Sequence, residues 1–528
     1  MDDMTYADPA VADVINREFI PIRVDIDKRP DISERYNRGG FPTTAFLSDK
    51  GESIWGATFI PPSDMSRIMK ALLDAKASGE IDQALERNRL QAIDLAKSWR
   101  MPLPDSEIVE ALFEDVLSAY DVEHGGFGTA PKFPHPDVVE LLLGKHELDG
   151  DEEALDAAIR TIEGMGAGLY DEAEGGVFRY SVTRDWREPH YEKMLETNIG
   201  YLRNLVHAHT VTGVPEHARR AKGVAKYVID VLQEKSAGGF YGSQDADEEY
   251  YKMPPEMRSR RPAPSIDRTV YSGWNSEAVS SLIRAGTLLG ERGWISSAKR
   301  AWEYCVKKLW NKELGLVRHT EGQEIYLFAD QVSFLEALLA VSELRHDEET
   351  LAIGRSLIAA ADEYYASPDG GYSDILKEED AIGELAAPRR PLVANSKWAS
   401  AISLFGAADH NPRLTEDARR IVLSFNRHEV EAHGLFAAPF ISTWWLLERG
   451  PTLVEVYDPG TTDPLECTLW LEAKRTTIPA AVVTFHGESE RMGVSLGTPF
   501  ARICTDSGCS GEFTEPAALV RRLKHGAG

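Results

Sequence analysis

Cysteine is scarce in this chain: four residues in 528, and none before Cys305. That excludes a disulfide-stapled scaffold, because such scaffolds are short and cysteine-dense. Cys504 and Cys509 alone lie close together in sequence. They are the candidates for redox chemistry, with ordinary reduced thiols or half of a zinc site as the competing readings. No run of eighteen apolar residues occurs, so no membrane-spanning helix and no membrane partner are expected. Met1-Asp2-Asp3-Met4 is acidic where a secretory signal would be basic and then apolar, so the expected location is cytoplasmic. Positive charge is also in deficit, with 58 Lys and Arg against 85 Asp and Glu, for a net charge of −27. Such a balance repels nucleic acid, which is not expected as a partner.

What is present is a soluble composition, 43% hydrophobic and 27% charged, in a chain too long for one ordinary core. The opening stretch reads as a small α/β piece: a helix from Pro9 to Phe19, strands at Ile20–Asp25 and Thr44–Leu47, and a hairpin turn at Asp49-Lys50-Gly51. Ser63 to Arg100 follows as helix. Gly39-Gly40-Phe41-Pro42 before the strand makes Pro42 a candidate cis residue.

From Pro104 to Leu447 twelve helix-length segments alternate with short and long connections. The long ones carry a recurring mark: Gly125-Gly126-Phe127, Gly175-Gly176-Val177, Gly238-Gly239-Phe240, Gly315-Leu316, Gly370-Gly371-Tyr372 and Gly434-Leu435-Phe436. Glycine permits the positive φ of a returning loop, and the apolar residue after it anchors the loop. Six helical hairpins at this spacing predict an (α/α)6 toroid in which each outer helix leads through a long loop into an inner helix. All six inner N-termini then meet at one mouth, where helix dipoles and long loops converge. After Gly450 strands return in a small α/β tail. The expected domains are 1–100, 101–449 and 450–528.

The mouth collects the residues with chemistry. His190 has a reference pKa near neutrality, and Glu192 stands two residues on; both are acid–base candidates. Asp245 and Asp247 supply paired carboxylates on the next long loop, the minimum for glycosidic chemistry. Lys132, Arg179, Tyr180, Lys193, Trp274, Asn275, Asp330, Gln331 and Asn395 stand at or beside inner-helix starts and are the candidate ligand-binding residues. Helix capping is the competing reading for the Asn and Asp residues among them. No metal site and no cofactor are expected. Tyr250 to Arg268, rich in Pro and Arg, reads as an exposed flap.

These motifs together resemble the spermatogenesis-associated protein 20-like family. They are Gly39-Gly40-Phe41-Pro42-Thr43-Thr44, Gly125 to Pro134, Pro189-His190-Tyr191-Glu192-Lys193-Met194, Asp245-Ala246-Asp247, Gly273-Trp274-Asn275, Ala329-Asp330-Gln331, Asn395-Ser396 and the Cys504 to Cys509 pair. The resemblance implies a thioredoxin-like first domain with Pro42 facing a Cys-x-x-Cys site, followed by a six-hairpin glycosidase-like toroid. It also implies that the first strand and the dithiol would lie before Met1. The expected ligand is a carbohydrate-like small molecule, handled in an epimerase- or glycosidase-like way. The alternatives are a thiol-redox protein that engages a protein partner and a non-catalytic binding scaffold. Oligomeric state is not legible.

Overall fold

The computed structural model describes residues 1–87, 105–376, 380–476, 481–487, 498–505 and 507–524. The expected boundary near residue 100, the toroid start at Pro104 and the far end of the Ser63–Arg100 helix lie outside the described residues. The chain divides into two compact units, Met1–Pro102 with Ser373–Arg389, and Leu103–Tyr372 with Arg390–Gly528.

In the first unit, helices α1 (Pro9–Glu18) and α2 (Pro30–Tyr36) precede an antiparallel hairpin of β1 (Thr44–Leu47) and β2 (Ser53–Ala57), and α3 (Pro62–Ala77) follows. Proline stands at the first turn of all three helices, where its missing N–H costs nothing. Val11, Ile60, Met65 and Met69 form the core. The Phe41–Pro42 peptide is cis, as expected from its place before the strand. Ile20–Asp25 is a correction: the segment has no ladder partner among the described residues, and Ile20 and Ile22 stand exposed. Alternating Ile and Val make a strand only where a neighbour accepts their hydrogen bonds. The inserted segment Ser373–Arg389 is tied down by Arg35, which donates to both oxygens of Asp374 at 2.6 and 3.2 Å.

The second unit carries the toroid. Its inner helices are α5 (Pro136–Asp149), α7 (Leu195–Thr212), α9 (Ser272–Leu289), α11 (Phe328–Leu344), α13 (Leu392–Ala408) and α15 (Ala438–Arg449). Each packs on the next, and α15 returns to α5, so the ring is closed. The outer helices α4 (Ser106–Ser118), α6 (Glu152–Gly168), α8 (Pro215–Tyr227), α10 (Arg292–Tyr304), α12 (Glu348–Tyr364) and α14 (Arg413–Val422) each pack against an inner neighbour. The (α/α)6 toroid is therefore the fold. Outer helices are amphipathic with one buried stripe, whereas inner helices are buried nearly all round. Gly150, Gly213 and Gly290 end α5, α7 and α9 in the left-handed conformation, which lets the chain reverse within a few residues.

The tail forms a four-stranded sheet in the order β4 (Ala481–His486), β3 (Thr452–Tyr457), β5 (Phe500–Thr505), β6 (Gly508–Cys509). The β3–β4 pair is parallel and the others antiparallel. Helices α16 (Thr468–Arg475) and α17 (Pro516–Lys524) pack on each other beside it. Glu343 at the end of α11 joins sheet to toroid by accepting from Val483 N at 3.0 Å and Lys474 Nζ at 2.6 Å. Among the described residues, no helix is long and apolar enough to cross a membrane.

Candidate functional site

Four inner helices begin with the same device. The fourth residue of each, Asn198, Asn275, Gln331 or Asn395, is fully buried. Its side-chain amide closes a two-bond ring with the backbone of a residue one or, for Val317, two places after the loop glycine. Val177, Phe240, Val317 and Tyr372 each donate N–H to it at 2.7–2.8 Å, and their carbonyls accept at 2.8–3.1 Å. The amide thus acts as a β-bridge built from a side chain. Gly371 shows why glycine is needed: φ is +65°, and an added Cβ would lie 2.7 Å from Asn395 Oδ1. Asn275, Gln331 and Asn395 were expected to hold ligand; in this structure their hydrogen-bonding capacity is turned to the backbone. Replacing Asn275 with Ala leaves both polar groups of Phe240 unsatisfied in the interior. The expected loss is about 2–4 kcal/mol of unfolding free energy, read by urea denaturation.

Lys132 and Lys193 are clamps of a second kind. Lys132 Nζ donates to Asp121 (2.6 Å) and to Gly125 O (2.7 Å); Lys193 Nζ repeats this with Asp171 (2.7 Å) and Gly175 O (2.8 Å). Both ammonium groups are inaccessible to solvent. They too are withdrawn from ligand contact, because each must satisfy a buried carboxylate. Arg258, from the expected flap, adds a second cation to Asp171 at 2.8 Å and is buried. Tyr250–Arg268 is thus docked onto the second loop rather than free. Asp330 caps the neighbouring helix by accepting Gly273 N at 3.0 Å and also meets His319 Nδ1 at 2.8 Å.

The remaining expected residues stay near the surface. His190 stacks on Tyr180 with ring centroids 4.9 Å apart, and Tyr180 stacks on half-exposed Phe133 at 4.6 Å. His190 Nδ1 is buried without a hydrogen-bond partner. Glu192 pairs with Arg179 at 2.8 Å. Trp274 packs on Tyr271 at 4.5 Å. Asp247 caps a short helix through Tyr250 N and pairs with Arg261, while Asp245 is exposed. These two carboxylates line an open depression of about 610 Å³ with Arg261 and Pro264. Among the described residues no hydrogen bond or ion pair joins His190 to Asp245 or Asp247, while Glu248, next to Asp247 in the chain, lies within electrostatic reach of the imidazole.

Sequence reasoning missed the charged lining of the ring. Asp137 on α5 accepts from Arg203 on α7 (2.7 Å) and from Lys397 on α13 (2.8 Å), a bridge that passes over the intervening α15. Glu140 accepts from Asn204 at 2.8 Å and meets His207 Nδ1 at 2.9 Å, and the far ring nitrogen of His207 meets Glu147 at 3.1 Å. Glu277 and Arg284 on α9 and Glu336 on α11 complete the group, with Ser333 Oγ 3.5 Å from Glu277. Lys397 lies five residues and Glu336 eight residues past their helix starts, about 8 and 12 Å down from the mouth at 1.5 Å per residue.

The electrostatics sort these groups by role. Against its burial, Lys397 and Arg203 hold Asp137 down to about 2, and His207 and Arg203 hold Glu140 well below the carboxylate range. Burial opposes charging of His207, but Glu140 and Glu147 outweigh it and raise the imidazole to about 9. Glu336 goes the other way. Burial, reinforced by Glu277, pushes it up to about 7 despite the pull of Lys397. It makes no ion pair with any described residue. The lumen therefore holds locked ion pairs around one carboxyl that can take or give a proton near neutrality. Its sequence signal was faint: single charges at helical spacing in otherwise apolar inner helices, as in Asp137, Glu140 and Glu147, or Arg203 and His207.

Residues 1–99 match the family described as Thioredox_DsbH, protein of unknown function DUF255, which makes the first region thioredoxin-like. Spermatogenesis-associated protein 20 of Mus musculus is 28% identical over 308 residues, covering 54% of this chain and 38% of that protein. The Homo sapiens counterpart is 29% identical with the same coverage. The chain thus matches less than half the length of these curated relatives, and the family resemblance read from the motifs is borne out. Among solved structures, cellobiose 2-epimerase from Spirochaeta thermophila has a TM-score of 0.49 at 16% identity, covering 60% of this chain and 82% of that one. A D-mannose isomerase has a TM-score of 0.49 at 10% identity, covering 65% and 98%.

Proposed function

We propose that this relative of spermatogenesis-associated protein 20 binds a hydroxyl-rich, carbohydrate-like molecule in the toroid lumen and transfers a proton on it. The observation that carries the reading is Glu336: a carboxyl raised to about 7, without an ion pair among the described residues and set among the charges of Lys397, Glu277, Arg203 and Asp137. Its ionised form is the base for a carbon-bound proton beside a carbonyl. Lys397 and Arg203 are the cations that stabilise the developing enediolate oxygen. His207, charged up to about 9, is the matching acid within the same lumen. At the entrance, the flat Phe133–Tyr180–His190 ladder offers the apolar face that sugar rings stack on.

Hydrolysis is the second reading, favoured by Glu277, a second carboxylate close enough to raise Glu336. The two are separated by incubating the protein with mono- and disaccharides in D₂O. Epimerisation or isomerisation places solvent deuterium on carbon; hydrolysis releases a sugar with none. Calorimetry supplies the binding test. Tyr180→Ala is expected to weaken a bound sugar about 2- to 12-fold, in line with the roughly 0.5–1.5 kcal/mol of an aromatic contact. Sugar binding that is indifferent to both Tyr180→Ala and Lys397→Met would place the ligand elsewhere and defeat the reading.

A further inference from the structure

The tail carries a cluster that the lumen chemistry does not use. Strand alternation puts Leu453 and Glu455 of β3, Arg502 and Cys504 of β5 and Cys509 of β6 on one face of the sheet, because 453 pairs with 504, 455 with 502 and 504 with 509. Cys504 and Cys509 form a cross-strand disulfide. Cys504 Sγ lies 3.7 Å from Glu455 Oε2. On the other side of that carboxylate, His410 Nε2 lies 3.6 Å from Oε1. One ligand atom each of Glu455, Cys504 and Cys509 fall within 4.8 Å of one another. Zinc bonds of about 2.0–2.3 Å at tetrahedral angles separate neighbouring ligand atoms by about 3.3–3.8 Å; the Cys504–Glu455 and His410–Glu455 contacts have that spacing, and the two sulfurs, bonded to each other here, reach it only once the disulfide opens. Glu455 is buried and steadied by Tyr457 Oη at 3.2 Å, whereas Cys509 and the His410 ring are open to solvent. His410 follows the C-cap of α13 in the left-handed region at φ +53°, the usual ending of a helix, and its backbone N–H and that of Asn411 close the last turn on Ala407 O and Gly406 O.

We propose that Cys504, Cys509, Glu455 and His410 form a redox-gated zinc site. In the disulfide form the sulfurs are bonded to each other and offer no thiolate. A dithiol reductant opens the bond by exchange, becoming a disulfide itself while two electrons and two protons pass to Cys504 and Cys509. Zinc then displaces those two protons and takes two thiolates, the imidazole and the carboxylate. The site is separate from the lumen and does not depend on the reading of Glu336.

The test uses the full chain, disulfide-bonded or reduced with a non-chelating phosphine, and zinc ion in competition with a chromophoric chelator. Expected is one zinc per reduced chain, held at least about 100-fold more tightly than by the oxidised chain. Cobalt substituted for zinc is expected to show thiolate-to-cobalt charge transfer. Cys509→Ser, which removes one thiolate and with it the disulfide, is expected to weaken zinc binding by about 10-fold or more and to make it indifferent to reductant, and Glu455→Gln and His410→Ala to weaken binding by about 10-fold or more, with far-ultraviolet circular dichroism unchanged. Equal affinity of the parent chain in its two redox states overturns the proposal. So does unchanged affinity in reduced Cys509→Ser, or in both Glu455→Gln and His410→Ala.

Discussion

Glu336→Gln is expected to lower kcat on a bound sugar by about 10²–10⁴ while leaving KM nearly unchanged, since a positioned acid–base group is worth that much and the amide keeps the shape. The same change is expected to make the protein more stable at alkaline pH. The sign follows from the proton count. The unperturbed carboxyl titrates at 4.5 and the folded one at about 7, so between those values the native state holds a proton that the unfolded state has lost. Stability from this group is whole below 4.5 and falls as pH rises through 7. Glutamine never ionises, so by pH 8 the variant gains about 1–3 kcal/mol, and at pH 4.5 the two proteins coincide. Thermal melts at the two pH values read the difference; equal shifts at both would contradict a half-buried, proton-holding Glu336. His207 acts in the same direction over a higher window, its stabilisation present below 6.5 and lost as pH rises through about 9. Asp137 protects the acid side, with stability present above 3.8 and lost as pH falls towards 2. The lumen groups together place the stability maximum at about pH 4 to 4.5, above the Asp137 limb and below the onset of the Glu336 loss, and activity on a bell with limbs near 7 and 9.

Lys193→Met is expected to be the most damaging single change in the mouth, at about 3–5 kcal/mol. The ammonium is inaccessible to solvent, bonded to Asp171 and Gly175 O, and ringed by Phe178, Tyr227 and Tyr251 at 4.7–5.1 Å. Burial pushes Asp171 up, but Lys193 and Arg258 more than offset it and keep it ionised. Methionine fills the volume and leaves that carboxylate with Arg258 alone. Adding Asp171→Asn removes the stranded charge, and the double variant is expected to recover at least half of the loss in urea denaturation. A single variant within about 1 kcal/mol of the parent would show that the pair is not holding the loop.

The two sets of residues show what a sequence discloses. Ring closure and the order of inner and outer helices were legible because one or two glycines mark each of the six long loops, as pairs in four and singly at Gly315 and Gly434, where the returning backbone takes positive φ. The polar residues at helix starts were equally visible, yet Asn275, Gln331, Asn395, Lys132 and Lys193 serve the backbone. A loop that returns to a buried helix start must satisfy its own N–H and C=O, and a side-chain amide or ammonium is the local means. Asp137, Glu140, Arg203, His207, Glu277, Glu336 and Lys397 were not legible, because their meaning lies in partners far off in sequence. Asp137 and Lys397 are 260 positions apart. Ile20–Asp25 failed for the converse reason, a strand pattern with no partner beside it.

The return of α15 to α5 has a consequence for how the toroid comes apart. In an open array of helical hairpins each repeat leans only on its neighbours, and an end repeat can fray while the rest persists. Here no hairpin is terminal: Arg449 of the last inner helix reaches Asp149 of the first at 3.3 Å, and Trp445 packs on Phe113 at 5.6 Å. Losing any one hairpin exposes two apolar flanks and parts the lumen charges from their partners. The ring thus behaves as one cooperative body, and its assembly waits on the meeting of segments made some three hundred residues apart.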